Sequence, residues 1–339
     1  MKSKKHIVLV LLVLSIQTIN AQEHRYHTTS TLFTRAVSMG GAFTGVCDDL
    51  ESALYNPAGL GGEATFERKF RVYLNPIGAA AVVNDRDYLT VREGDYKPQD
   101  WPALLGLMVR AVSFNSPFFQ FSTILSEELP ETFYATQSHF ISAKNILDRN
   151  FHTASARITL ASQVSIGASG FLFNVFEKGE LKTFMGSSYG IMMRPSNSLS
   201  AGISYYNLPI QVDSTMIRQY RLSDKTINAG IAYSPLQPIR VSVDFRNVSE
   251  EGNMTHNELH AGIEVLPASF IALRGGYFSN ANDRSQRYSF GIGLSDYRRY
   301  KSTSDAFVFS NFILNYGLQV REINSEFDFS HFLTFLFNF

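Results

Sequence analysis

The chain has 339 residues and no formal net charge, because 30 basic side chains balance 30 acidic ones. This balance argues against nucleic acid as a partner, since phosphates require a basic excess. A single cysteine, Cys47, excludes an intramolecular disulfide and a cysteine-based metal site. The sequence also lacks the series of apolar runs, each of roughly 20 residues, that a helical membrane protein needs.

The first 21 residues predict a secretory signal peptide. Three lysines within the first five residues form a positively charged segment, and Ile7 to Ile16 form a short apolar core. Ala21 is a small residue suited to cleavage before Gln22. We expect the mature chain to begin near Gln22 and to leave the cytoplasm.

A compact segment of different character follows, MGGAFTGVCDDLESALYNPAGL at residues 39–60. Asp48 and Glu51 have the spacing of a capping box and predict a short helix. The helix should end before Pro57, because a residue that precedes proline avoids helical backbone angles. Glycines from Gly59 onward allow a sharp turn into the first strand. We predict a helical hatch over residues 22–65.

From residue 66 onward, apolar residues alternate with small or polar ones. In residues 239–246 (IRVSVDFR), the apolar side chains share one face and the polar ones share the other. This period of two predicts β-strands, and residues 199–205, 288–295 and 312–320 repeat it. Allowing about 20 residues for each strand and its connection, the segment holds roughly 12 to 14 strands.

Such alternation fits a soluble sandwich, with its apolar face inside, or a transmembrane barrel, with its apolar face toward lipid. The polar faces are rich in Gly and Ser, whereas a soluble surface carries more Lys and Glu. Aromatic residues such as Tyr206, Tyr277 and Tyr300 cluster at strand ends, as in an interfacial girdle. We therefore predict an all-β fold, a transmembrane antiparallel β-barrel over residues 66–339 with the hatch in its lumen.

The carboxyl-terminal sequence SHFLTFLFNF supports a barrel. Phe335, Phe337 and Phe339 project to one side, and a terminal Phe after alternating apolar residues resembles the assembly signal of bacterial outer-membrane barrels. We expect the outer membrane of a Gram-negative bacterium as the location. Outer-membrane lipid and the barrel assembly machinery are then the expected partners.

Residues 98–150 fit the alternating pattern poorly. The stretch WPALLGLMVRAVSFNSPFFQF is apolar on both faces, and STILSEELPE has a more helical rhythm. One interpretation is a strand followed by a long outer loop. The other is an apolar surface or lid that collects a ligand, since long loops in compact domains are commonly functional.

Residues 35–60, RAVSMGGAFTGVCDDLESALYNPAGL, resemble the amino-terminal signature of the FadL-like and PorV-like (PorV/PorQ family) outer-membrane barrels. The hatch positions that carry the resemblance are Met39, Gly40, Gly41, Asp48, Asp49, Asn56, Pro57, Ala58 and Gly59. Residues 260–277 and 289–295 are also similar to the family. Cys47 departs from the small apolar residue usual at its position.

The resemblance implies a barrel whose amino-terminal segment folds inward. FadL-like members move hydrophobic small molecules across the outer membrane, whereas PorV-like members assist type IX secretion by receiving secreted proteins. The signature is common to both branches. We expect passive transport or binding of small hydrophobic molecules, with the secretion accessory as the alternative.

Two patterns could suggest an enzyme. Residues 186–190 (GSSYG) match the GxSxG nucleophile motif, but a strand rather than the required helix should follow. Residues 256–260 (HNELH) place two histidines and a glutamate on one strand face, yet a metal site needs further ligands. We predict no catalytic residues, no metal site, no cofactor and no enzymatic activity.

Polar and charged side chains on the strands are expected to face the lumen. Pairing across the interior explains them, because an uncompensated charge there is costly. A second role is contact with the polar group of a ligand, since arginine suits carboxylates. The candidates for ligand contact are Arg240, Asp244, Arg246, His256, Glu258, His260 and Arg274.

Overall fold

The computed structural model describes residues 26–28, 34–61, 70–74, 109–125, 151–177, 180–207, 225–236, 238–246, 248, 258–268, 270–280, 286–294, 312–323 and 326–338. Its strands are β1 (Tyr26–Thr28), β2 (Phe70–Leu74), β3 (Val109–Asn115), β4 (Phe119–Leu125), β5 (Phe151–Ala161), β6 (Val164–Glu177), β7 (Glu180–Ser196), β8 (Leu199–Asn207), β9 (Lys225–Leu236), β10 (Ile239–Arg246), β11 (Glu258–Ala268), β12 (Ile271–Asn280), β13 (Gln286–Leu294), β14 (Phe312–Ile323) and β15 (Glu326–Asn338). The helices α1 (Thr34–Ser38) and α2 (Ser52–Tyr55) and the 3₁₀ turn Pro57–Gly59 lie between β1 and β2.

Strands β2 to β15 form a closed antiparallel barrel. Each strand pairs with its neighbours in sequence, and β15 closes the ring by pairing Phe337 with Leu74 of β2. Strand β1 adds to β15 in parallel, with Tyr26 opposite Ser330. The barrel thus has fourteen wall strands among the described residues, an even number as in bacterial barrels. The predicted all-β barrel is confirmed.

The apolar faces of the strands point outward. On β10, Val241 and Phe245 are exposed, whereas Arg240, Ser242 and Asp244 are buried. This arrangement is the inverse of a soluble protein and is typical of barrels whose exterior contacts lipid. The exposed apolar side chains around the wall include Phe121, Ile158, Ile166, Ile191, Ile203, Ile231, Ile263, Leu273, Phe290 and Tyr316.

The connections differ between the two ends of the barrel. At one end, β5 joins β6 through residues 162–163 and β7 joins β8 through residues 197–198. At the other end, β2 joins β3 through residues 75–108 and β4 joins β5 through residues 126–150. In bacterial barrels the short turns lie on the periplasmic side.

Several sequence predictions fall partly or wholly outside the described residues. The hairpin of β3 and β4 takes residues 109–125 of the interval 98–150, and the rest of that interval is outside. The signal peptide, His256 and Phe339 are outside as well. Of the carboxyl-terminal phenylalanines, Phe335 and Phe337 pack edge to face on β15, with ring centroids 4.9 Å apart. Within the described part of the chain, no helix is long and apolar enough to cross a membrane.

Candidate functional site

The hatch fills the lumen of the barrel. The structure describes its residues 34–61, all of which are buried except the half-buried Tyr55 and Gly61. The side chains of Ala36, Met39, Phe43 and Cys47 form a small apolar core of the hatch, packed on Met192 and Ala232 of the wall, with Val46 and Ala58. The predicted inward-folded segment is therefore present between β1 and β2.

Arg35 lies at the centre of a buried ion network. Its Nη1 atom lies 2.5 Å from Asp48 Oδ1 and 2.7 Å from Asp49 Oδ2, both within the hatch. Its Nε and Nη2 atoms each lie 3.0 Å from a different oxygen of Glu264 on β11. This two-pronged geometry is the one that makes arginine–carboxylate pairs strong.

The network continues into the wall. Arg240 Nη1 on β10 donates to Asp48 Oδ2 at 2.7 Å, and Arg274 Nε on β12 donates to Glu264 Oε1 at 2.8 Å. Arg274 Nη1 also donates to Asn315 Oδ1 on β14 at 2.9 Å. Removing one partner from such a buried arrangement costs about 3–5 kcal/mol, because the remaining charge stays buried.

The predicted capping box of Asp48 and Glu51 is wrong. Glu51 directly precedes α2 but makes no side-chain cap bond there. Its carboxylate instead accepts the backbone N–H groups of Arg35 and Ala36 at 3.2 and 2.7 Å, at the start of α1. Asp48 is bound by two guanidinium groups, and such charge-assisted bonds are stronger than a bond to a peptide N–H.

Burial changes the acidity of the hatch. Burial raises the pKa of Asp49 to about 6, although Arg35 opposes the shift. Burial and the neighbouring Asp49 also raise the pKa of Glu51 above its ordinary value. Burial likewise raises the pKa of the Cys47 thiol, which stays neutral. Burial thus makes the carboxyl groups of Asp49 and Glu51 weaker acids.

A second polar group holds the Gly40–Thr44 turn. Asp244 Oδ2 on β10 accepts the backbone N–H groups of Phe43 and Thr44 at 2.8 and 2.6 Å. The guanidinium of Arg246 donates to the carbonyl of Gly41. His260 Nδ1 lies 2.6 Å from the carbonyl oxygen of Gly40, and its Nε2 lies 3.1 Å from Glu258.

Wall hydroxyl groups bind further carbonyl groups of the hatch. On β6, Ser165 and Ser169 donate to Ala58 and Ala53 at 2.6 and 2.8 Å. Other serine contacts of this kind are Ser200 to Gly45, Ser204 to Tyr55 and Ser242 to Ala42, at 2.7, 2.8 and 2.8 Å. Each such bond contributes about 1 kcal/mol, and a buried group left without a partner costs about 1–3 kcal/mol.

Eight wall glycines, here called the glycine belt, let the hatch backbone contact the wall directly. They form four cross-strand pairs: Gly167 with Gly190, Gly202 with Gly230, Gly262 with Gly276, and Gly291 with Gly317. A Cβ atom at Gly276 would overlap the backbone of Met39 and Gly40, and one at Gly167 would overlap Pro57. The belt therefore matches the shape of the hatch.

The hatch meets a different surface on the opposite side of the lumen. Leu50, Ala53 and Leu60 of the hatch pack there against an apolar patch of the wall. The patch consists of Tyr73 on β2, Ala111 on β3, Ile124 on β4, Ile313 on β14 and Leu336 on β15. Polar and backbone contacts thus predominate where the hatch faces β6 to β13, and apolar side chains predominate at the patch, beside which Arg157 on β5 and Thr334 on β15 also bind the hatch.

The structure brings most of the predicted site residues together around the hatch. Five of these residues bond to the hatch or to a wall residue that binds the hatch, so each already has a partner within the protein. They are Arg240, Asp244, Arg246, His260 and Arg274. In the signature, Asn56 Oδ1 accepts the backbone N–H of Ala58 at 3.1 Å and so caps the 3₁₀ turn Pro57–Gly59. Helix α2 ends at Tyr55, before Pro57, as predicted.

Four features of the site do not follow from the predicted residues. The serine donors and the glycine belt appear in the sequence only as small residues on polar strand faces. Tyr206, expected in an interfacial girdle, instead faces the lumen and donates to the carbonyl of Leu54. Arg157 on β5 donates to the carbonyl of Leu60 at 3.0 Å. The sequence signal for all of these residues is their spacing along each strand, because residues separated by an even number of positions share the face that points into the lumen.

The structure places the described residues of the two patterns that could suggest an enzyme on strands of the wall. Residues 186–190 lie inside the continuous strand β7, where Ser188 is buried. His260 bonds to Glu258 through Nε2 and to the carbonyl of Gly40 in the hatch through Nδ1. Among the described residues, no group of three or more His, Cys, Asp and Glu side chains is arranged to hold a metal ion.

No protein-family profile and no curated protein matches the chain. Among solved structures, the toluene transporter TodX of Pseudomonas putida is 9% identical, with a TM-score of 0.47 over 92% of this chain and 96% of that chain. A triple mutant of the Rhodopseudomonas blastica porin is 10% identical, with a TM-score of 0.38 over 68% of this chain and 78% of that chain.

Proposed function

We propose that the protein is an outer-membrane barrel for the passive transport of small hydrophobic molecules, with the hatch closing the lumen at rest. The observation that carries this proposal is the hatch itself. It occupies the lumen, and it contacts wall strands from β5 to β15 through hydrogen bonds, ion pairs and direct backbone packing.

The outward faces support the membrane location. Isoleucine, leucine, valine and phenylalanine side chains are exposed around the wall. Contact between water and such a large apolar surface is unfavourable, so the surface fits a lipid environment. A closed barrel satisfies its backbone hydrogen bonds internally, so it can lie in lipid. The predicted signal peptide and carboxyl-terminal phenylalanines favour the outer membrane of a Gram-negative bacterium.

The hatch signature and the apolar patch support a hydrophobic cargo. Residues 35–60 resemble the FadL-like barrels, whose members carry hydrophobic small molecules. The patch of Tyr73, Ala111 and Ile124 gives the lumen an apolar side that an ion channel would not need. No particular contact in the structure favours the secretion role of the PorV-like barrels, which share the same signature.

Transport can be measured with the purified protein in liposomes. We expect faster entry of a radiolabelled aromatic hydrocarbon and a radiolabelled long-chain fatty acid than in protein-free liposomes, with no faster entry of a labelled disaccharide. Equal rates for protein-containing and protein-free liposomes would contradict the proposal. Gentle purification from outer membranes provides the second readout, since bound lipid supports transport and a stably bound secreted protein supports the secretion role.

A further inference from the structure

We infer that the apolar patch and the facing hatch side chains form a side-chain gate, through which small apolar molecules pass while the hatch backbone stays in place. This inference rests on the proposed function. The gate consists of Leu50, Ala53 and Leu60 on the hatch and of Tyr73, Ala111, Ile124, Ile313 and Leu336 on the wall.

The polar side of the hatch is the costly side to open. Moving the hatch away from β6, β8 and β10 would leave several hydroxyl groups and hatch carbonyls without partners. It would also separate Arg35 from Glu264 inside the barrel. An apolar molecule cannot replace any of these contacts, since it offers neither donors nor charges.

The apolar side can open at low cost to an apolar molecule. Leu50, Leu60 and Ile124 contribute only hydrocarbon atoms, so a hydrophobic molecule between them exchanges one set of dispersion contacts for another. Leucine and isoleucine can also change rotamer without breaking a hydrogen bond. The same properties exclude polar solutes, which would lose their hydration without gaining partners.

The backbone on either side of the gate is fixed. The carbonyl of Leu60 accepts from Arg157 at 3.0 Å, and the carbonyl of Ala53 accepts from Ser169 at 2.8 Å. The wall residues are likewise held in ladder register, with Tyr73 opposite Ala111 and Ala111 opposite Ile124. Side-chain motion against this fixed frame is therefore sufficient to widen the passage.

The remaining hatch core provides a matched comparison. Met192 on β7 is also a fully buried apolar wall residue that packs against the hatch, but it lies on the side of the glycine belt. A truncation at Met192 removes a similar volume from the same hatch–wall interface. It should not widen the gate.

The first test compares Ile124→Ala with Met192→Ala in the liposome assay. We expect Ile124→Ala to raise the entry rate of the labelled hydrocarbon at least threefold, with Met192→Ala within about 1.5-fold of the parent and no entry of disaccharide in either. An equal increase in both variants, or no increase with folded Ile124→Ala, would overturn the inference. Should Ile124→Ala not fold, Ile313→Val removes a single methylene group from the same gate.

The second test fixes the hatch covalently. Thr34 Oγ1 on the hatch lies 2.7 Å from Thr334 Oγ1 on β15, so cysteines at these positions place two sulfur atoms at bonding distance. In a Cys47→Ala background, we expect the oxidised Thr34→Cys/Thr334→Cys protein to retain at least half of the hydrocarbon entry rate. Loss of entry on oxidation and its recovery on reduction would show that the hatch must move, which overturns the gate. Absence of entry in the parent would instead refute the proposed function.

Discussion

Arg35 and Glu264 face each other in a two-pronged ion pair whose nitrogen–oxygen distances are both 3.0 Å, although the residues are 229 positions apart in the sequence. The pair joins the first helix of the hatch to the wall strand β11. Because Asp48 and Asp49 also bind Arg35, one guanidinium neutralises carboxylates from two parts of the fold. The attachment of the hatch therefore depends strongly on this single side chain.

Arg35→Met should lower the free energy of unfolding by about 3–5 kcal/mol, because three buried carboxylates lose a cationic partner. Urea unfolding of the barrel in lipid vesicles, followed by the gel mobility of the folded form, measures this change. Arg35→Lys is the control, since lysine keeps the positive charge but cannot bind a carboxylate through two nitrogen atoms. A loss for Arg35→Met no larger than that for Arg35→Lys would contradict the role of the positive charge, whereas no loss for Arg35→Lys would contradict the role of the guanidinium geometry.

The glycine belt gives a prediction with a neighbouring control. Gly276→Ala should lower the free energy of unfolding by about 1–3 kcal/mol, because the new methyl group would overlap the backbone of Gly40. Gly275→Ala should have a smaller effect, since a Cβ there meets only Ile263 Cγ2 at 3.4 Å. The same unfolding assay compares them. Equal losses would mean that contact with the hatch does not account for the effect.

Serine donors on distant strands should act independently. Ser165→Ala on β6 and Ser242→Ala on β10 each remove a hydroxyl group that binds a hatch carbonyl, so each should cost about 1 kcal/mol. The double variant should lose the sum to within about 0.5 kcal/mol, because the two bonds share no partner. Ser196→Ala, at an exposed turn, should leave stability unchanged. A negligible effect of both lumen variants would show that these bonds do not anchor the hatch.

The wall of the barrel is predictable from sequence because each strand repeats one local rule. Val241 and Phe245 face outward and Arg240 and Asp244 face inward, as the alternation of residues 239–246 requires. The same alternation places Tyr206 on the lumen face with Ser204, where its hydroxyl group bonds to the hatch, although its aromatic ring indicates an interface. Composition at one position cannot distinguish a lipid headgroup region from a polar lumen.

The contacts of the hatch are not predictable in the same way. Glu264 and Arg35 lie on different elements, and their pairing depends on the depth at which the hatch sits in the barrel. Asp48 has capping spacing from Glu51, yet the ion pair with Arg35 determines its position. Gly276 resembles any small lumen residue until Gly40 is placed against it. Local patterns carry no information about such long-range contacts.

The raised pKa of Asp49 makes the stability of the protein depend on pH. Its value of about 6 in the folded protein lies above the ordinary 3.8, so the folded state binds the proton more tightly than the unfolded state does. The contribution of Asp49 to stability should therefore be greatest below about pH 4 and be lost as the pH rises through about 6. The raised pKa of Glu51 adds a loss in the same direction.

Asp49→Asn tests this dependence, because the amide keeps the shape of the side chain and does not titrate. We expect the decrease in unfolding free energy between about pH 4 and about pH 6 to be smaller in Asp49→Asn than in the parent, since the proton held by Asp49 is its cause. Unfolding midpoints measured in urea across this interval give the comparison. Some decrease in unfolding free energy with rising pH should remain in Asp49→Asn, and Glu51→Gln should reduce this remaining decrease. An identical pH profile in the parent and both variants would show that folding does not shift the pKa of either carboxyl group, which contradicts the prediction.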